Sequence, residues 1–228
     1  MRKDHLKGIR IIHEDRDIIV VDKPAGLLTM ASDTEKEKTA YHILTDYVRK
    51  GCAKSPKRIF IVHRLDRDTS GIVIFAKDER AKHSLQNQWD ETEKKYLAVV
   101  YGKFPQKSGT ITSYLTENAS HIVYSTQNKS IGKLSTTAYK VLKETLDLSL
   151  LEVDLVTGRK NQIRVHFAEI GHPIVGDQKY GMKNNMHKRM ALHAYSVSFL
   201  HPWNNKRMLL KAHIPPYFTN LIGKITIP

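Results

Sequence analysis

Ile61-Val62-His63-Arg64-Leu65-Asp66-Arg67-Asp68-Thr69-Ser70-Gly71-Ile72-Val73-Ile74-Phe75-Ala76 places two short apolar runs around a polar centre. The second run is continuous rather than alternating, which predicts a strand covered on both faces. Asp68-Thr69-Ser70-Gly71 has the composition of a turn, with Asp68 bonding local backbone and Gly71 relieving strain before the strand. Asp66 precedes that turn and is not accounted for by it. Arg64 and Arg67 interleave with Asp66 and Asp68, and a nearby guanidinium favours the ionised carboxylate. An ionised Asp on a loop held between buried strands can act as nucleophile, general base or electrostatic stabiliser. Asp68 to Gly71 also looks like an aspartic-protease signature. That chemistry needs two carboxylates sharing a proton, whereas Ser70 occupies the glycine position and no second copy exists.

The 228 residues fit one domain of fair size, and an apolar share of 40% supports a real core rather than disorder. Lys and Arg number 37 against 23 Asp and Glu, a net +14 that points to a polyanionic partner. No apolar run approaches bilayer-spanning length. Met1-Arg2-Lys3-Asp4-His5 lacks the apolar segment of a secretory signal. Cys52 is the single cysteine, which excludes an internal disulfide and fits a reducing compartment. Nucleic acid in the cytoplasm, with no membrane role, is the expectation. Charge alone does not choose RNA over DNA.

Ile9 to Ile12 and Asp17 to Val21 read as strands around a Glu14-Asp15-Arg16 turn. Asp22-Lys23-Pro24-Ala25-Gly26 ends the second one, and Lys23 reads equally as a solvated turn lysine or a phosphate contact. Ser32 to Lys38 is a polar loop. Ala40, Ile43, Leu44, Tyr47 and Val48 predict a helix ending near Gly51. Lys50, Lys54, Lys57 and Arg58 form a basic run. Asp78 is placed to cap a helix carrying Ala81, Leu85 and Trp89 on one face. Tyr96 to Val100 predicts a strand. Gly109 to Tyr139 is weakly patterned and reads as strands with long loops. Ser135 to Lys143 and Leu148 to Val156 read as neighbouring strands, and Ile163, His166, Phe167 and Ile170 as one stripe of a helix ending at Gly171. Arg164 lies off that stripe. Ala191 to Leu200 and Met208 to Ile214 complete the strands. His166, His172, His193, His201 and His213 lack the short paired spacing of metal sites, so no metal is expected.

His63 to Gly71 resembles, residue for residue, the catalytic signature of the RluA-type pseudouridine synthases, which convert specific uridines in RNA to pseudouridine. The resemblance continues through Lys23-Pro24-Ala25-Gly26, Lys94-Lys95-Tyr96, Gly158-Arg159-Lys160-Asn161-Gln162-Ile163-Arg164, His172 to Asp177, Tyr180-Gly181 and Leu192-His193-Ala194, spanning about residues 9 to 218. It implies an α+β pseudouridine synthase fold, a long mixed, largely antiparallel sheet flanked by helices with a central basic cleft. It also implies a single catalytic domain over 1–228, with no separate amino-terminal RNA-binding domain. Asp66 is then the catalytic carboxylate, Arg164 its ion-pair partner, and Tyr96 the residue lining the uracil pocket. Arg64 would fill the space left by a flipped nucleotide, and His63, Arg67, Lys23 and Arg159 would contact RNA. Relatives commonly have Thr-His where this chain has Lys160-Asn161, so Asn161 is read as a cap instead. The isomerisation trades one glycosidic bond for another, so no cofactor is expected. The implied partner is a ribosomal or transfer RNA stem-loop, bound by a monomer. The alternative is a non-catalytic RNA-binding or ribosome-associated protein that retains the fold.

Overall fold

The computed structural model describes residues 6, 8–32, 34–182 and 186–227. Met1 to His5, read above for what they lack, and Asp33 of the polar loop lie outside them. The chain divides into two compact units, one drawing on the chain up to Thr92 and on Ala194–His213, the other on Glu93–His193 and the segment from Ile214.

In the first unit, β1 (Arg10–Glu14) and β2 (Ile18–Lys23) form an antiparallel hairpin. Its turn is closed by Asp15, whose Oδ1 accepts from the N–H groups of Asp17 and Ile18 at 2.8 and 2.9 Å. Helix α1 (Ala40–Arg49) starts where Thr39 accepts from the His42 N–H, and ends at Lys50 in the left-handed conformation. β3 (Phe60–Ile61) and β2 both run antiparallel to β4 (Ser70–Ala76). All seven residues of β4 are buried, as its unbroken apolar run predicts. Helix α2 (Glu79–Asn87) is capped by Asp78, which accepts from Ala81 N–H at 2.7 Å. β10 (Leu192–Leu200) neighbours β4 and pairs antiparallel with β11 (Arg207–Lys211). The core here joins Ile18 and Val20 of β2, Ile72 and Ile74 of β4, Leu85 of α2 and Phe199 of β10. α2 ends before Trp89, so the apolar stripe expected on it is shorter by one residue, and Trp89 stacks on His63 instead.

In the second unit, β5 (Glu93–Tyr101), β6 (Ser108–Glu117), β7 (Val123–Thr126), β8 (Lys133–Glu144) and β9 (Leu148–Leu155) are ordered β5-β9-β8-β6-β7, each pair antiparallel. The stretch expected to be loop-rich is thus largely regular. Its period was hidden because polar side chains fill interior positions: Ser135 and Thr137 are fully buried. Helix α3 (Gln162–Glu169) buries every residue from Gln162 to Phe167, so it has no clean polar face. That corrects one expectation, since Ile170 of the expected apolar stripe is exposed, while Arg164, which lies off that stripe, is buried. A fourth helix, α4 (Pro216–Ile222), opens with proline in its first turn and buries Phe218 and Ile222, one turn apart. Among the described residues no helix is long and apolar enough to cross a membrane.

Gly71 is the tightest constraint on β4. Its φ is +114°, and a Cβ there would meet the Ala194 carbonyl oxygen at 2.2 Å. Gly71→Ala is expected to destabilise the protein by about 3 kcal/mol or more, combining a forbidden backbone conformation with a backbone clash. Gly158→Ala, where nothing lies within 4 Å, should be nearly neutral. Urea unfolding of the two variants beside wild type checks both.

Candidate active site

The polar centre of the opening motif is the loop between β3 and β4, and it belongs to the first unit. Each residue beside Asp66 is tied to one distant segment. Thr29 Oγ1 donates to the Leu65 carbonyl at 2.9 Å and accepts from the Leu65 N–H at 3.1 Å, acting as a strand partner would. On the other side Gly26 N–H donates to the Arg67 carbonyl at 2.9 Å, and Arg67 Nε donates back to the Gly26 carbonyl at 3.2 Å. The loop closes on itself through Thr69 N–H and the Asp66 carbonyl at 3.3 Å. Asp66 itself is half-buried, flanked by exposed Arg64 and Arg67.

Lys23 reaches this loop from below. It is 0% exposed, and Nζ donates to the carbonyls of Pro24 (3.1 Å), Leu27 (2.7 Å) and Arg67 (3.1 Å). Burial pulls the ammonium down to about 7, against the opposing pull of Asp68, Asp66 and Asp22. The expected phosphate contact is therefore corrected: a fully buried ammonium whose three donors are taken does not meet RNA. His63 turns inward as well. Its Nε2 accepts from Ile74 N–H at 3.0 Å, which leaves the ring proton on Nδ1, and the ring stacks on Trp89 at 4.3 Å. The ring expected to contact RNA thus anchors the loop to β4. Arg64 and Arg67 are exposed.

In the second unit the buried cation is Arg164. It is held in a two-pronged pair with Asp177, Nε to Oδ2 at 2.7 Å and Nη2 to Oδ1 at 2.8 Å, with side-chain exposures of 9% and 1%. Asp177 Oδ1 also accepts from the N–H groups of Lys179 and Tyr180 at 2.9 and 3.0 Å. The guanidinium lies over the Tyr180 ring, 5.1 Å from its centroid. Burial pushes the Asp177 carboxyl up, but its hydrogen bonds and charge pairing with Arg164, with the backbone donors, bring it below the usual range. The Tyr180 hydroxyl donates to Asn161 Oδ1 at 3.2 Å and accepts from Val123 N–H at 3.0 Å. Asn161 sits at the start of α3 in the left-handed conformation, so its side chain does not cap the helix as expected. Gln162 Oε1 accepts from the Arg159 N–H at 3.0 Å, which braces the approach to the helix without capping it. Tyr96 is half-buried on β5 opposite Val153, and Arg159 is exposed.

Sequence reading missed Thr29 and Asp177. Thr29 carries no local signal, since its partner is 36 residues away. Asp177 lies in a noted pattern, Gly176-Asp177 to Tyr180-Gly181, but its partner is visible only in three dimensions. Among the described residues Asp15, Asp17 and His201 bring potential metal-ligand atoms within 4.8 Å of one another. Asp15 is already engaged there, by His13 and His201 at 2.7 and 3.0 Å and by two backbone donors. These bonds hold its carboxyl down at about 2 against the opposing effect of burial.

Comparison with known proteins gives a consistent answer. The family model for RNA pseudouridylate synthase matches residues 17–169. An uncharacterized RNA pseudouridine synthase of Bacillus subtilis, YhcT, is 34% identical over 215 residues, covering 92% of this chain and 70% of its own. The ribosomal large subunit pseudouridine synthase C of Buchnera aphidicola is 32% identical over 228 residues, covering 94% and 70%. The solved structure of human RNA Pseudouridylate Synthase Domain Containing 1 superposes with a TM-score of 0.77 at 25% identity, over 97% of this chain and 89% of that one. The chain belongs to the RNA pseudouridylate synthase family.

Asp177→Asn removes the charge that faces buried Arg164, and should cost about 3 to 5 kcal/mol of stability at neutral pH. The acid dependence follows from the sign of the shift. Asp177 has a folded value below its ordinary 3.8, so its contribution is complete above that value and is lost as pH falls through the lower folded one. Unfolding curves across acid pH should show that part of the dependence missing in Asp177→Asn.

Proposed function

We propose that this family member, an isomerase that makes pseudouridine in RNA, uses Asp66 as its catalytic carboxylate. The observation that carries this reading is the fixation of Asp66. Both neighbouring residues are pinned by the 23–29 segment while Asp66 stays half-buried between exposed arginines. Such a carboxylate meets the requirement for positional catalysis, because misplacement by a fraction of an ångström is costly.

The reaction breaks the bond from ribose carbon 1′ to uracil nitrogen 1 and makes one from the same carbon to uracil carbon 5. A proton leaves carbon 5 and one is gained at nitrogen 1, so electrons balance without an outside oxidant or reductant. Asp66 either attacks the substrate covalently or stabilises positive charge as the glycosidic bond opens. The detached base must then turn within the site. Tyr96 is assigned to pack against that uracil, and Arg164 to supply a fixed positive charge. A stacked nucleotide does not offer carbon 5 to the protein, so the uridine is flipped out. Arg64 is assigned to the vacated space, and Arg67 and Arg159 to phosphates. The exposure of these three arginines and the net +14 support that assignment. Ribosomal or transfer RNA is the proposed substrate class, read at an unpaired loop nucleotide that is already partly unstacked. The proposal extends to one catalytic domain acting as a monomer in the cytoplasm.

Pseudouridine mapping of total RNA from cells with and without the gene should reveal one or a few lost sites. Wild type should restore them and Asp66→Asn should not, while the purified variant keeps its RNA affinity. Turnover in Asp66→Asn would exclude the assignment. Arg164→Ala should lower turnover per folded enzyme by about 100-fold or more, with a much smaller loss of binding. Equal losses would make Arg164 a phosphate contact.

A further inference from the structure

The basic run Lys50, Lys54, Lys57 and Arg58 is a sequence motif that the proposed chemistry leaves without a role. Its last residue leads to a surface at the end of the first unit's sheet remote from Asp66. β2 pairs with β4 so that Lys23 meets Gly71 beside the Asp66 loop, while Ile18 meets Ala76 at the other end. The seven residues of β4 separate the two ends by about 20 Å. Three turns are fastened together at the remote end, 14–18, 77–80 and 201–206. Lys77 N–H donates to the Asp17 carbonyl at 2.8 Å. His201 Nδ1 accepts from Trp203 N–H at 3.3 Å, which leaves the Nε2 proton to be donated to Asp15 at 3.0 Å.

Each turn presents one residue of a cluster. Trp203 is 57% exposed, and the Arg80 and Arg16 guanidiniums lie over its ring, 4.7 and 5.5 Å from the centroid. Both arginines are exposed, and among the described residues neither has a hydrogen bond or an ion pair. The acids nearby are committed elsewhere. Glu14 holds Lys77 and Tyr47, Asp78 caps α2, and Glu79 faces Arg58 at 3.6 Å. The Asp17 carboxylate lies within 4.8 Å of Asp15 and His201. The ring attracts each guanidinium without consuming its N–H donors, so both forks stay available in the geometry that suits phosphate.

We propose that this remote surface is a second RNA contact, with Arg16 and Arg80 on Trp203 binding phosphates of the RNA outside the target loop. The proposal rests on RNA being the partner. Arg58 and the lysines before it form the margin of the same surface. The indole is followed by exposed Asn204, Asn205 and Lys206 and flanked by cations. Such a setting suits a polyanion and not the apolar centre of a protein interface. A contact about 20 Å from the reacting loop strengthens binding by joining two weak sites on one chain.

The test compares wild type with the double variant Arg16→Gln, Arg80→Gln on two probes, an RNA hairpin with a long duplex stem and its loop strand alone. Both side chains are exposed, and a melting curve checks that the variant is folded. Hairpin affinity at physiological salt should fall by about 10-fold or more, and the slope of log affinity against log salt should lessen by about 2. Affinity and slope for the loop strand should not change. Unchanged hairpin affinity and slope would overturn the proposal. Equal losses on the two probes would overturn it as well, by placing the arginines at the target loop. Wild type that binds neither probe would overturn the RNA reading itself, and this contact with it.

Discussion

The residues on either side of Asp66 are held by hydrogen bonds from Lys23, Gly26 and Thr29, a segment some forty residues earlier in sequence. Everything in the first unit follows from keeping that segment and the loop in register. β2 pairs with β4 along its length, from Ile18 opposite Ala76 to Lys23 opposite Gly71. The end of β2 thus arrives beside the start of β4, and the two connections emerging there, 24–29 and 62–69, lie side by side. Gly71 lacks a side chain because β10 passes too closely to admit one. The buried apolar residues of β2, β4, α2 and β10 then make the platform stiff enough for the loop bonds to matter.

The energetic balance around Lys23 explains how a charge can sit there. Removing an ammonium from water costs several kcal/mol after relaxation. Each hydrogen bond from a charged donor returns about 1.5 to 3 kcal/mol, and three are made. Burial still outweighs them, as the pull of the ammonium down to about 7 shows, while the amine ties three carbonyls together. Arg164 follows the same logic in the second unit. Its buried pair with Asp177 is matched on both sides, by two guanidinium donors and by the Lys179 and Tyr180 amides. Tyr180 extends the network to the start of α3 and to β7. A buried pair of this kind is weak as a source of stability and strong as a means of fixing one geometry.

Much of this was legible in the chain. β4 declared itself through an unbroken apolar run, α1 through its 3.6-residue period, and α2 through Asp78. The candidate site was marked by a motif, in which Asp66 stood out as the carboxylate that the turn did not need. What stayed hidden was of two kinds. Buried polar residues such as Ser135, Thr137 and Gln162 masked the period of the second unit's strands and helix, because periodicity is read from hydropathy and these groups are satisfied inside, Gln162 by Thr137 and the Thr136 carbonyl and Ser135 by the Lys133 carbonyl. Partners distant in sequence, such as Thr29 with Leu65 and Asp177 with Arg164, leave no local trace. For Lys23 both effects combined: its residue type suggested solvent or phosphate, and only the three carbonyls around it reveal an inward role.

That reversal bears on how an enzyme without net redox chemistry can work. The bonds broken and made in forming pseudouridine are similar in kind, so in the proposed mechanism the protein's task is to hold a carboxylate and a detached base in place. Charge at exposed positions, as on Arg64, Arg67 and Arg159, is screened by salt, and the proposed reading assigns it to RNA affinity. Charge at buried positions, as on Lys23, Arg164 and Asp177, is scarcely screened and is paired at fixed angles. The same composition that gives a net +14 therefore divides into two populations with different work. On the proposed reading the outer cations attract RNA. The inner ones fix backbone and side chains.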